Sequence, residues 1–227
     1  MSHRHRMALV LGFLVLGGAG TGAFGPSRLA AQSPSQQPAT GKAKMPPAIA
    51  LNTAAISGQV VGVMPTTLIT ARDSLVGKAP FTDRAAATRW ADSLIGDALQ
   101  LRAPEVIWKL PAQLRSMAKR APGIAADPDY MGQAALRNPQ IEKVPDPLMA
   151  NLRTLMALAG GRFVLVPASL SFQHDSTGAV ETHLNLAGVD TRTGNVAFRS
   201  YIKAAGPTPA AALDSAMAIL MPTVSVE

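Results

Sequence analysis

The sequence predicts an α/β (α+β) domain: one mixed sheet of about five strands with helices packed on it. Three observations carry this. Short apolar runs of strand type alternate with helix-period stripes in the first half of the chain, as a β-α-β crossover requires. Three period-two runs then follow one another with turn residues between them, as in an antiparallel meander. Capping residues and Gly/Pro stops bracket the helical segments.

The elements are read in chain order. Val60, Val61, Val63 and Met64 form a nearly continuous apolar run inside Ile56–Ile69, and Pro65 marks its end or a bulge. Phe81-Thr82-Asp83 opens a helix, with Thr82 able to cap it and Asp83 suited to its positive end. Ala87, Trp90, Ala91, Leu94, Ile95, Ala98 and Leu101 form its apolar stripe. Arg84, Arg89, Asp92, Asp97 and Gln100 fill the other face. Glu105–Lys109 is a short strand, and Pro111 begins a second helix that runs to Arg120, with Leu114, Met117 and Ala118 inward.

Residues 121–144 carry Pro122, Pro128 and Pro139 and read as a long loop with one short helix near Tyr130–Leu136. A loop of that length in a compact domain is often functional or mobile. Asp146-Pro147 opens a helix with Leu148, Leu152, Leu155 and Met156 inward, and Gly160-Gly161 ends it. Arg162–Phe172, Glu181–Val189 and Asn195–Lys203 are the three meander strands, with Gly194 placed for a positive φ between the last two. Thr208-Pro209 opens a final helix, Ala210–Leu220, and Pro222 stops it.

The N-terminus has the composition of an export signal: basic Met1–Arg6, the apolar run Ala8–Leu16, and a small-residue site at Leu29-Ala30-Ala31. The apolar run falls short of the ~20 residues of a spanning helix. The expected organisation is 1–31 signal peptide, 32–55 flexible tether rich in Pro, Ser and Gln, 56–222 a single α/β domain, and 223–227 a tail. The mature chain is expected in the periplasm or outside the cell, without a membrane span. With no cysteine it has no lipid anchor of the N-terminal-Cys type, no disulfides and no thiolate chemistry. Loss of Arg4, Arg6 and Arg28 lowers the net charge from +7 to +4, and the remaining basic residues are scattered. Aromatic residues make up 4% of the chain, too few for a base-stacking surface, so nucleic acid is not an expected partner.

No motif points to catalysis, and no cofactor or metal is expected. His174-Asp175 and His183 are residue types that bind zinc, but they lack helical ligand spacing and His174–Gly178 reads as a polar turn. There is no nucleophile elbow around Ser169 or Ser171. Gly160-Gly161 follows a helix instead of opening one, so it cannot cradle phosphate. Trp90 and Trp108 sit on core-type positions. One surface stands out. Alternation along the last two strands brings His183, Asn185, Arg199, Tyr201 and Lys203 to the wet face as a polar, cationic patch, a possible partner-binding surface.

Several local signals resemble the small α/β domain of bacterial envelope proteins. This group includes the curli secretion-channel lipoprotein, the lipoprotein activators of penicillin-binding proteins, and the N-terminal domain of the Tol–Pal protein TolB. The signals are Val61-Gly-Val-Met-Pro65 before a helix containing Ala91-Asp-Ser-Leu-Ile95, then Leu158-Ala-Gly-Gly-Arg-Phe-Val-Leu-Val166, then Leu184-Asn-Leu-Ala-Gly-Val-Asp-Thr-Arg-Thr-Gly194. The resemblance covers roughly residues 58–220. It departs at Pro167, where the group has Gly, and in lacking a lipidated cysteine. It implies a non-enzymatic role in envelope assembly or partner binding, with an envelope protein or an anionic envelope polymer as partner and oligomeric state left open. The alternatives are a periplasmic hydrolase working through carboxylates such as Asp127, Asp129 and Asp175, or a carrier of a small ligand in a closed apolar cavity.

Overall fold

The computed structural model describes residues 47–222. They form six strands, β1 Val60–Val63, β2 Ile69–Ala71, β3 Ile107–Lys109, β4 Phe163–His174, β5 Val180–Asp190 and β6 Val196–Gly206. Four helices accompany them, α1 Arg84–Arg102, α2 Pro111–Arg120, α3 Leu148–Ala159 and α4 Pro209–Leu220. The strands make one mixed sheet in the order β3-β1-β4-β5-β6, with β2 also beside β4. β1 pairs in parallel with β3 on one side and β4 on the other. β4, β5 and β6 form the expected antiparallel meander.

The expected first strand is in fact two. The apolar run ends at Pro65, and three residues of β2 then pair in parallel with the far half of β4, Ile69 opposite Leu170. A triplet of this kind has too little periodicity to read from sequence. β4 can serve both partners because it bends. Its register against β5 shifts between Pro167 and Ser169. Pro167 has no N–H to give the ladder, and a bulge is where a strand tolerates that. The Pro that departs from the envelope-domain pattern therefore marks the bend between the β1-paired and β2-paired halves.

Each sheet face has its own apolar core. One is built by Ala91, Ile95 and Leu99 of α1 and Leu213, Met217 and Leu220 of α4 against Val61, Leu165, Phe172, Leu184 and Ile202. Leu114 of α2 and Leu152, Leu155 and Met156 of α3 cover Val164, Val166, Ala187 and Val189 on the other. Trp90 is half-buried, edge-on to Phe81 and tilted against Phe172, and Trp108 is buried with Nε1–H donating to the Ala103 carbonyl. Phe198 and Leu94 are also half-buried at the margin of the first core.

Local chemistry explains the ends of the elements. Asp83, not Thr82, caps α1, its carboxylate accepting the Ala86 N–H, and Thr208 caps α4 through Ala211. Gly160 ends α3 at φ 74°, and a Cβ on Gly161 would meet the Val60 carbonyl at 2.5 Å, so the pair serves one turn and one close approach. Two assignments on α1 are reversed. Leu101 is 80% exposed, and Asp92, expected on the wet face, is buried. Part of the expected tether is tied to the domain: Leu51 N–H donates to Leu220 O and Ile49 N–H to Ser200 Oγ. The expected signal peptide and the tail at 223–227 lie outside the described residues.

Candidate functional site

The second sheet face is divided. Near β1 it is covered by α2 and α3. Past the β4 bulge, among the described residues, the apolar cover stops at Ala168 and Ala187 and polar side chains take over. Ser171, His183 and Lys203 lie in one row across β4, β5 and β6. Gln173 and Glu181 lie in the next row outward, and Asn185 opposite Tyr201 in the next row inward.

The five residues expected to form one patch do not act together. Asn185 is buried, with Nδ2 near the Arg137 carbonyl, and half-buried Arg199 donates from Nη1 to Leu136 O at 2.6 Å and from Nη2 to Ile141 O at 3.1 Å. Both side chains clamp the 121–144 segment across the sheet. Arg137 adds a bond from Nε to the bulge carbonyl of Ala168, and Val144 and Val196 exchange backbone bonds with the hairpin at Gly194 and with Glu142. The segment holds two short 3₁₀ turns, Pro128–Tyr130 and Gln133–Arg137, where one short helix was expected, and Met131 and Leu136 are buried beneath it. The loop is thus a built cover.

His183, Tyr201 and Lys203 remain in the open half, joined by Glu181 and Gln173, which the sequence reading left out. Glu181 is the hub. One carboxylate oxygen takes His183 Nε2 and Gln173 Nε2, the other takes Lys203 Nζ at 2.6 Å. The other ring nitrogen of His183, Nδ1, faces the Tyr201 hydroxyl, so the imidazole bridges the carboxylate and the phenol. Burial raises the Glu181 pKa, but hydrogen bonds from Lys203, His183 and Gln173 outweigh it and hold the carboxyl down at about 2. The Tyr201 phenol is pushed up by burial and by the Glu181 charge, and the Lys203 ammonium is raised by its bond to Glu181. The open half is accordingly polar and charge-paired, and the cationic character expected of it is lost because Arg199 is withdrawn under the loop and Lys203 is neutralised. Glu181 sits two residues before His183, so period-two alternation already put it on this face.

A second polar assembly lies at the carboxyl ends of β1 and β3. Buried Asp92 accepts the Thr66 N–H at 2.8 Å and Arg115 Nη2 at 2.7 Å, and Arg115 also binds Asp129 through two nitrogens at 2.9 and 2.8 Å. Desolvation raises the Asp92 pKa against these bonds, while Asp129 and Asp92 drive the Arg115 pKa further up. The Pro65 and Asp92 positions of the envelope-domain pattern thus meet, the helix carboxylate holding the backbone that leaves β1. Asp190 serves a similar end in the last motif: Arg162 grips its carboxylate from two nitrogens, and Arg162 above all lowers its pKa.

The carboxylates of the hydrolase alternative are engaged within the fold. Asp127 accepts the Asp129 N–H, Asp129 holds Arg115, and Asp175 accepts from Thr177 N, Thr177 Oγ1 and Ala179 N, closing the turn that reads as polar in sequence. Among the described residues no helix is long and apolar enough to cross a membrane.

No protein-family model matches the chain, and no curated protein matches it. Solved structures do. The LpoB C-terminal domain from Salmonella enterica is similar at 16% identity over 67% of this chain and 84% of that one, with a TM-score of 0.37. The PelC dodecamer from Paraburkholderia phytofirmans is similar at 12% identity over 77% and 92%, also at 0.37, and lipoprotein GNA1162 from Neisseria meningitidis at 14% over 66% and 82%, at 0.32. No residue's role passes from them to this chain.

Proposed function

We propose that the chain is an exported, non-enzymatic domain that binds another protein of the bacterial cell envelope through the open half of its second sheet face. The observation that carries this is the bonded set Glu181, Gln173, His183, Tyr201 and Lys203, held in place on three rigid strands beside a face otherwise covered. A polar cluster with its rotamers already fixed loses little conformational freedom on binding. The export-type N-terminus and the resemblance of the strand and helix motifs to envelope domains support the location. Processing near Gln32 leaves the domain preceded by a short polar segment. Because the face is charge-paired, a protein surface with its own hydrogen-bonding groups fits it better than an anionic polymer, which needs unpaired cations.

The test is capture from envelope extract by the full chain expressed with its own N-terminus, with the captured protein identified by mass spectrometry. Tyr201→Ala and Lys203→Glu are each expected to lose that protein while still folding to the native circular dichroism spectrum. Capture unchanged in both variants would move the site off this face. A mature protein whose first residue is still Met1 would remove the export part of the reading.

A further inference from the structure

β1 and β3 are adjacent parallel strands whose following helices pack on opposite faces of the sheet, α1 in one core and α2 in the other. Chains that leave neighbouring strands in opposite directions open a crevice outside the strands' carboxyl ends, where α/β folds bind ligands. A pocket of about 570 Å³ lies there, lined by Thr66 and Thr67 after β1, the first turns of α1, Arg115 of α2, and the turn carrying Asp129 and Tyr130.

We infer that this crevice is a binding site for a small molecule bearing an oxyanion group, gripped by Arg84 and Arg89. The hydrogen-bonding inventory of the walls points to it. Most acceptors are committed: Asp129 holds Arg115, one oxygen of Asp83 caps α1, and Asp92 is shared between Thr66 and Arg115. The donors are in excess. Arg84 makes one bond, from Nη2 to the Thr67 carbonyl, and Arg89 has no hydrogen-bond partner among the described residues. Planar guanidinium forks match carboxylate and phosphate oxygens, and the positive end of the 19-residue α1 adds to the same field. Tyr130, 86% exposed at the rim, supplies a ring against which the rest of the ligand lies. The Arg115 ion-pair network stiffens the floor, so the pocket is formed before a ligand arrives. This site is separate from the open sheet face and does not depend on it.

The experiment titrates the isotopically labelled full chain with inorganic phosphate and, separately, with citrate, at constant ionic strength, following the Ala85 and Thr88 amides and the Arg84 and Arg89 side chains by NMR. Saturable shifts at these positions are expected, the stronger of the two anions telling a phosphoryl ligand from a carboxylate one. Arg89→Ala, an exposed change, and Arg84→Gln should each weaken binding about tenfold, equivalent to about 1.4 kcal/mol, with a native amide spectrum elsewhere. Lys203→Glu should leave binding unchanged. Non-saturating shifts with both anions, or saturable binding that Arg89→Ala leaves intact, would overturn the site.

Discussion

The two halves of one sheet face are built from the same alternating strands and end up doing different work. Where β4 pairs with β1, its inward positions are Val164 and Val166, and α2 and α3 close over them. Beyond the bulge the same positions hold Ser169, Ser171 and Gln173, opposite Asn185, His183 and Glu181, and no apolar surface is left to attract a helix. The border is drawn by Arg199 and Asn185. They lie on the polar register yet satisfy the carbonyls of a loop that would otherwise cross the sheet unpaired. A polar residue on a strand is therefore no signal of a free surface until its hydrogen bonds are traced.

That contrast can be broken at graded cost. Leu136 is fully buried under the loop, and Leu136→Ala should cost about 2–5 kcal/mol by leaving a cavity. Chemical denaturation measures this, and a cost typical of a surface site would show that the loop is not part of the core. Arg199→Ala removes the donor to two carbonyls and should cost about 1.5–3 kcal/mol, with faster amide exchange across 133–144. An effect confined to partner capture, with exchange unaltered, would return Arg199 to the open half.

Glu181 sharpens the other side of the border. Its folded-state pKa lies near 2, below the ordinary 4.5, so between these values the native state binds fewer protons than the unfolded chain. Its contribution is present above pH 4.5 and is lost as the pH falls toward 2. The stability gap between the parent and Glu181→Gln should therefore be widest at neutral pH and close across that window in denaturation curves. Asp92 acts in the opposite sense, since burial raises its pKa, and the variant comparison cancels it. A gap that stays constant with pH would remove the ion pair from the account. The smallest structural effect is expected for exposed Lys203→Glu, which should spare the fold and still abolish capture.

Much of the architecture was legible because it rests on local patterns. The β-α-β start, the three-strand meander, the Pro111 and Thr208-Pro209 helix starts and the Gly160 stop all follow from periodicity and capping. β2 was not, since three residues carry no period. Leu101 and Asp92 were exchanged between faces because a helical stripe shows which residues share a side, and not where the partner layer ends or which backbone N–H a carboxylate must reach. Of the candidate patch, His183, Tyr201 and Lys203 stay in the open half, Asn185 and Arg199 are drawn under the loop, and Glu181 was missed although its alternation placed it there.

By itself the sequence determined the fold class and the order of the longer elements, along with the absence of any cysteine chemistry, because backbone propensity, hydrophobic period and composition are properties of neighbouring residues. Only the tertiary structure decided which half of the polar face stays open and where the crevice at β1 and β3 lies. Those depend on bonds between residues far apart in the chain, such as Arg199 to Leu136 and Arg115 to Asp92, and on which helix crosses which face. Contacts of that range have no signature in spacing, since each partner alone is an ordinary polar residue.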